Sequence, residues 1–214
     1  DEQVRRYSVL IDVVLDCVRQ AGGDMTSDVA CEVLSTQPYP LRRVMEHHGL
    51  GRFRVVQKAK LDTPEDVYRI EQACPNDWIM MGNHDTPPIW MLARGWCDGQ
   101  RGHDWGEYLA ERLVLPEASR ADFVRQVSSD PGELVHALFA AILASNAQHV
   151  SVFFTDRLGM SGFYNSPGVV NDTNWTLRVP PDFAAQYEQR CREGRALDVV
   201  RCARAAVEAL ERRG

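Results

Sequence analysis

The chain has 214 residues, 44% hydrophobic and 25% charged, the balance of an ordinary soluble protein with room for one domain and a sizeable core. A formal net charge of −6 argues against nucleic acid or an anionic membrane surface as partner and leaves neutral ligands such as sugars open. No apolar run reaches the length needed to span a bilayer.

Tyr7 to Gln20 carries Val9, Leu10, Val13, Val14, Cys17 and Val18 at helical spacing, and Gly22-Gly23 closes the segment. Asp28 to Leu34 is a short strand candidate, Pro40 to His48 reads as a helix ended by Gly49, and Phe53 to Gln57 reads as the next strand. Thr63-Pro64-Glu65 has the form of a cap followed by proline at the first helical position, which predicts a helix to about Cys74. Trp78 to Met81 is apolar without alternation, the pattern of a strand covered on both faces, and Thr86-Pro87-Pro88 stops it before an apolar helix opens at Ile89. Further on, Asp130-Pro131 to Ser145 places Leu134, Val135, Leu138, Phe139, Ile142 and Leu143 on one broad helical face. Val150 to Phe154 is a fourth strand candidate ending in Thr155-Asp156. A loop rich in Gly, Asn and Pro follows from Arg157 to Asn174, and two helices, about Pro181 to Glu193 and Ala196 to Arg212, finish the chain. Four strands separated by helices imply a parallel sheet of βα units, an α/β fold.

The six cysteines, at 17, 31, 74, 97, 191 and 202, have no CxxC spacing and mostly sit in apolar periodic contexts, so they read as reduced packing residues of a cytoplasmic protein. The chain begins at Asp1 without a methionine, and the expectation is that something upstream has been removed or lies elsewhere.

The polar residues of interest fall at the ends of the strand candidates, where α/β enzymes keep their chemistry. Glu32 lies in the first, Gln57 ends the second, His84-Asp85 end the third and Asp156 ends the fourth. Gly82-Asn83-His84-Asp85 by itself has three readings: the metal-binding turn of a calcineurin-like phosphoesterase, a pair of side chains gripping sugar hydroxyls, or a polar strand terminus without chemistry. The phosphoesterase pattern also needs an early Asp-x-His and a late Gly-His-x-His, and Gly102-His103-Asp104 lacks the second histidine.

Several motifs in order carry a resemblance. Ala30-Cys31-Glu32-Val33-Leu34-Ser35, the proline-bearing helix after it and Gly49-Leu50-Gly51-Arg52-Phe53-Arg54-Val55-Val56-Gln57 resemble the surroundings of the acid/base glutamate in the 4-α-glucanotransferases (amylomaltases) of glycoside hydrolase family 77. The strand ending in Gly82-Asn83-His84-Asp85 resembles that family's His-Asp motif. Asn165-Ser166-Pro167-Gly168 and Asn174-Trp175-Thr176-Leu177-Arg178 resemble its Asn-x-Pro-Gly loop and Asn-Trp-x-x-Arg segment. The resemblance runs from about Cys31 to Phe183.

The resemblance implies that residues 1–214 form one domain, the C-terminal half (strands five to eight) of a (β/α)₈ TIM-type barrel with additional helices. It implies retaining transfer of α-1,4-glucan segments between maltooligosaccharides, with neither cofactor nor metal. Glu32 then matches the general acid/base. Asp85 matches the carboxylate that supports the oxocarbenium-like transition state, and His84, Asn165 and Trp175 are the substrate-binding positions. Two departures stand out: the family's Glu-Asp-Leu-Gly is here Glu32-Val33-Leu34-Ser35, and its Asn-Asp after His-Asp is here Thr86-Pro87-Pro88. Residues 1 to 31 also offer no match to the Arg-x-Asp context of the family nucleophile.

Half a barrel leaves sheet edges unpaired, so the expected partner is the N-terminal half of the same enzyme, with no role for nucleic acid or membrane. The alternative from another class is a non-catalytic glucan-binding module that keeps His84-Asp85 without the nucleophile.

Overall fold

The computed structural model describes residues 2–33 and 37–214 and divides into two compact units. The first comprises Asp1–Arg54, Ala73–Ile79 and Asn146–Ser151, and the second Val55–Gln72, Met80–Ser145 and Val152–Gly214. It is a mixed α/β structure with a small parallel sheet and many helices.

In the first unit, helix α1 (Glu2–Gln20) packs on α2 (Tyr39–His48). Leu15, Met45 and Leu50 form the core, with Ile11, Met25, Val29, Cys31, Val33 and Leu41 packed around them. The apolar residues that mark α1 in the sequence mostly lie on its other side: Val9, Leu10, Val13 and Val14 are exposed, Leu10 by 72%. The expected strand at Asp28 to Leu34 reduces to a single parallel bridge between Cys31 and Arg52, and Leu34 lies outside the described residues. The reason is local. Asp24 accepts hydrogen bonds from the amides and hydroxyls of Thr26 and Ser27, which holds the chain in a turn up to Asp28, the residue where the strand was expected to start.

The sheet has the order β1 (Phe53–Val55), β2 (Trp78–Met80), β3 (His149–Val150). β2 and β3 are parallel, Trp78 facing His149 with their rings stacked at 4.8 Å. Gly51 lets backbone meet backbone here, because a β-carbon on it would lie 1.6 Å from the carbonyl oxygen of Asn76. Buried Asp77 ties the same region together: it accepts from the amides of Arg52 at 2.9 Å and Cys74 at 2.7 Å and pairs with the buried guanidinium of Arg54.

Two further expectations change. β1 ends at Val55 and the chain turns into a 3₁₀ segment, Val56–Lys58. The fourth strand is shorter than expected too, since Phe154–Arg157 is a one-turn helix, α7, and Asp156 sits within it.

The second unit is mostly helical, with α3 (Ile89–Cys97), α4 (Gln100–Arg112), α5 (Glu117–Ser129) and α6 (Pro131–Leu143) packed together, followed by α7, α8 (Phe183–Arg192) and α9 (Val199–Arg213). Asp130 caps α6 by accepting from the Gly132 and Glu133 amides, and its Leu134, Val135, Leu138, Phe139 and Ile142 are fully buried or nearly so. Buried His136 receives the Asp198 amide at Nε2, 3.0 Å, and its Nδ1 faces the Gly132 carbonyl at 2.6 Å, which ties α6 to the start of α9.

The helix expected from Thr63 to Cys74 does not form. Amides of Asp66, Arg69 and Gln72 each bond a carbonyl three residues back, and the Ile70 amide donates to the Tyr108 hydroxyl instead of to an i−4 carbonyl. That hydroxyl in turn donates to Glu71, so a tertiary contact holds the segment in turns and a short 3₁₀ piece, Ile70–Gln72. Among the described residues no helix is long and apolar enough to cross a membrane.

Replacing Asp77 by Ala removes the carboxylate that pairs with the buried Arg54 guanidinium and accepts two backbone amides. The expected loss is about 3–5 kcal/mol of unfolding free energy, measured by urea denaturation.

Candidate active site

The turn after β2 is closed by its own side chains. The Asn83 amide donates to the Thr86 hydroxyl at 2.9 Å, that hydroxyl donates back to the Asn83 carbonyl at 3.0 Å, and the Thr86 amide donates to the same carbonyl at 3.2 Å. The Asn83 side chain accepts from the Asp85 amide at 3.1 Å. Pro88 then ends the turn and α3 begins at Ile89. Asn83 and Thr86 are therefore buried inside the turn while His84 and Asp85 stand partly exposed on its outside, their side chains 37% and 29% accessible.

The second half of the site comes from the long loop. Asn174 accepts the Ser166 amide at 3.0 Å and donates to the Val169 carbonyl at 2.8 Å, which pins the Asn165-Ser166-Pro167-Gly168 stretch to the Asn174-Trp175 segment. Trp175 adopts a left-handed backbone, φ 66°, unusual for a bulky residue. Its amide donates to the Tyr164 carbonyl at 2.8 Å and its carbonyl accepts from the Arg178 guanidinium at 2.7 Å, so both ends of the strained residue are held. The spacing Trp-x-x-Arg in the sequence thus has a structural purpose.

The two halves meet. Asn165, itself buried, donates from Nδ2 to Asp85 Oδ1 at 2.6 Å. His84 Nε2 lies 3.5 Å from the same oxygen, and the His84 ring is 5.4 Å from that of Trp175, which is 49% exposed and backed edge-on by Tyr164 at 5.2 Å. A carboxylate, an imidazole and an open aromatic face side by side offer an acceptor, a donor and an apolar platform, the set that a polyhydroxylated ring requires.

Of the residues singled out in the sequence, His84, Asp85, Asn165 and Trp175 are brought together in the second unit. Glu32 belongs to the first unit, where it is exposed between Cys31, bridged to Arg52, and Val33, whose carbonyl accepts from the Arg52 guanidinium at 2.6 Å. Ser35, of the altered Glu-Asp-Leu-Gly motif, lies outside the described residues. Among the described residues no group of three or more His, Cys, Asp or Glu is placed to hold a metal ion.

Two neighbours of the turn carry more than their sequence positions suggest. Asp156 is buried, with Oδ1 accepting the Ile89 amide at 3.0 Å and its backbone carbonyl accepting the Trp90 indole at 2.7 Å. Gln57 is buried and donates to the Pro87 carbonyl at 3.1 Å. Their only signal in the sequence is that each is a polar residue ending an apolar run.

The sequence profile of glycoside hydrolase family 77, described as 4-alpha-glucanotransferase, matches residues 7–184. The chain belongs to this family. No curated protein matches it. Among solved structures it is similar to an amylomaltase from Streptococcus agalactiae in complex with acarbose, with a TM-score of 0.53 and 16% identity, covering 78% of this chain and 32% of that one. A crystal structure of an amylomaltase from Corynebacterium glutamicum also matches, with a TM-score of 0.48 and 16% identity, over 86% of this chain and 28% of that one. At this identity the first likeness speaks for the fold, and the family 77 chain described here spans about a third of that amylomaltase's length.

Thr86→Val keeps the shape of the side chain but removes the hydroxyl that closes the turn. A loss of about 1–3 kcal/mol is expected, read from denaturant unfolding followed by tryptophan fluorescence.

Proposed function

We propose that this chain is part of a 4-α-glucanotransferase that moves α-1,4-glucan segments between maltooligosaccharides by a retaining, two-step transfer. Family membership supports the reaction class, and the observation that carries the site assignment is the 2.6 Å contact by which Asn165 orients Asp85 beside His84 and Trp175.

Each residue takes a role suited to its chemistry. Glu32 acts as general acid/base, protonating the leaving glycosidic oxygen and then taking the proton of the acceptor hydroxyl. Asp85 does not attack. Fixed by Asn165, it accepts hydrogen bonds from sugar hydroxyls and stabilises positive charge as it develops on the ring. His84 donates to a neighbouring hydroxyl, Trp175 presents an apolar face to the sugar, and Asn165 spends one amide hydrogen on Asp85 and turns the rest of the group toward the glucan.

The nucleophile is assigned to a different stretch of polypeptide, the N-terminal half of a (β/α)₈ barrel whose strands five to eight lie in residues 1–214, read as one domain of a cytoplasmic enzyme. The coverage of about a third of the amylomaltase and the open apolar row on α1, Val9, Leu10, Val13 and Val14, support that division. The chemistry calls for no cofactor or metal.

The test uses the complete gene product with maltotriose, following glucose and longer maltodextrins by chromatography with and without a chelator. The expected result is a ladder of longer oligosaccharides that survives chelation, reduced by orders of magnitude in Glu32→Gln and in Asp85→Asn. Maltodextrin binding without any ladder would favour the glucan-binding module, and no ladder together with chelator-sensitive hydrolysis of a phosphate ester would favour the metallophosphoesterase.

A further inference from the structure

Beneath the Gly82–Asp85 turn, two buried acceptors lack donors. Gln57 uses its Nε2 on the Pro87 carbonyl, and its Oε1 is buried without a partner. Asp156, 1% exposed, uses Oδ1 on the Ile89 amide, and its Oδ2 is likewise buried without a partner. Both bare oxygens border the same backbone position: a β-carbon on Gly82 would lie 2.6 Å from Gln57 Oε1 and 3.2 Å from Asp156 Oδ2. Two acceptors buried beside one backbone position, each without a donor, forfeit their hydration. A single proton serves both.

We propose that Asp156 is held as the neutral acid, with its Oδ2–H donating to Gln57 Oε1, and that it is the positioning residue that fixes the backbone beneath His84 and Asp85. The proton assignment stands on the geometry of Gln57, Gly82 and Asp156. Its consequence for transfer rests on the reading of the His84-Asp85 turn given above.

The electrostatics agree. Burial raises the Asp156 carboxyl to about 7, against the opposing pull of the Ile89 amide, which is hydrogen-bonded to it, and of the Gly82 amide, which lies near it without forming a full hydrogen bond. The charged groups on the surrounding elements are engaged elsewhere: Lys58 over the Tyr68 ring, Arg157 over the Tyr187 ring, Asp85 with Asn165 and His84, and Arg94 with Ser161. On α6, His136 meets the edge of Trp90, and burial lowers its own pKa, so it brings no charge at neutral pH. Because the folded value of Asp156 lies above the unfolded one, the folded state holds an extra proton between about pH 4 and about pH 7. The stability this contributes is full below the unfolded value and is lost as the pH rises through about 7.

The Asp156 side-chain carboxyl is to be followed by assigned ¹³C NMR in the labelled chain from about pH 5 to about pH 9. The expected result is a neutral acid at the low end that titrates near 7. A carboxylate signal already present at about pH 5 would overturn the proposal, whether water, a cation or another donor serves the two oxygens. Asp156→Asn supplies a permanent N–H donor, so its stability relative to the parent chain should improve as the pH rises. A deficit that stays constant or grows with pH would count against the neutral acid. In the transfer assay Asp156→Ala should cost on the order of a hundredfold and Asp156→Asn should restore most of it. If no transfer is found in the parent protein, the glucan reading fails while the NMR result still decides the proton.

Discussion

The hydrogen bond from Asn165 to Asp85 joins residues 80 apart in the sequence, and without it there are two loops instead of one site. Each loop is prepared for it independently. Thr86 and Asn83 close the turn from inside so that Asp85 faces out, and Asn174 with Arg178 fixes the long loop so that Asn165 and Trp175 face in. Both preparations are short-range and side-chain based, which lets a site built on loops hold a defined geometry.

Where the sequence signal was local, the structure follows it. The helices at Tyr39–His48, Ile89–Cys97 and Pro131–Leu143 and the strand at Trp78 were legible because caps, prolines and unbroken apolar runs act within a few residues. The Thr63-Pro64-Glu65 start signal failed because Tyr108, far along the chain, takes the Ile70 amide that a helix would have used. The strand sought at Asp28 to Leu34 follows directly on the Asp24 turn and keeps only the Cys31 bridge, beside which Glu32 lies.

The candidate site was legible in a similar, partial way. His84, Asp85, Asn165 and Trp175 were identified from ordered motifs, and their proximity is a tertiary fact that spacing alone does not contain. Asp156 and Gln57 were visible only as polar ends of apolar runs. What distinguishes them is burial and the missing donor between them, and both depend on how the turn, the 3₁₀ segment after β1 and α7 come together. The helical pattern on α1 was read correctly as a helix, yet Val9, Leu10, Val13 and Val14 are exposed, because periodicity reports an apolar face without saying what covers it.

The central claim is that His84, Asp85, Asn165 and Trp175 form one sugar-binding surface. It is tested most directly by titrating the isotopically labelled chain with maltotriose and following the His84 ring, the Asn165 side-chain amide and the Trp175 indole by NMR. The account predicts saturable shifts in all three at a common dissociation constant, with those of His84 and Trp175 lost together in Asn165→Ala. Saturable shifts confined to other parts of the chain, or shifts at His84 and Trp175 that survive the Asn165 substitution unchanged, would contradict it.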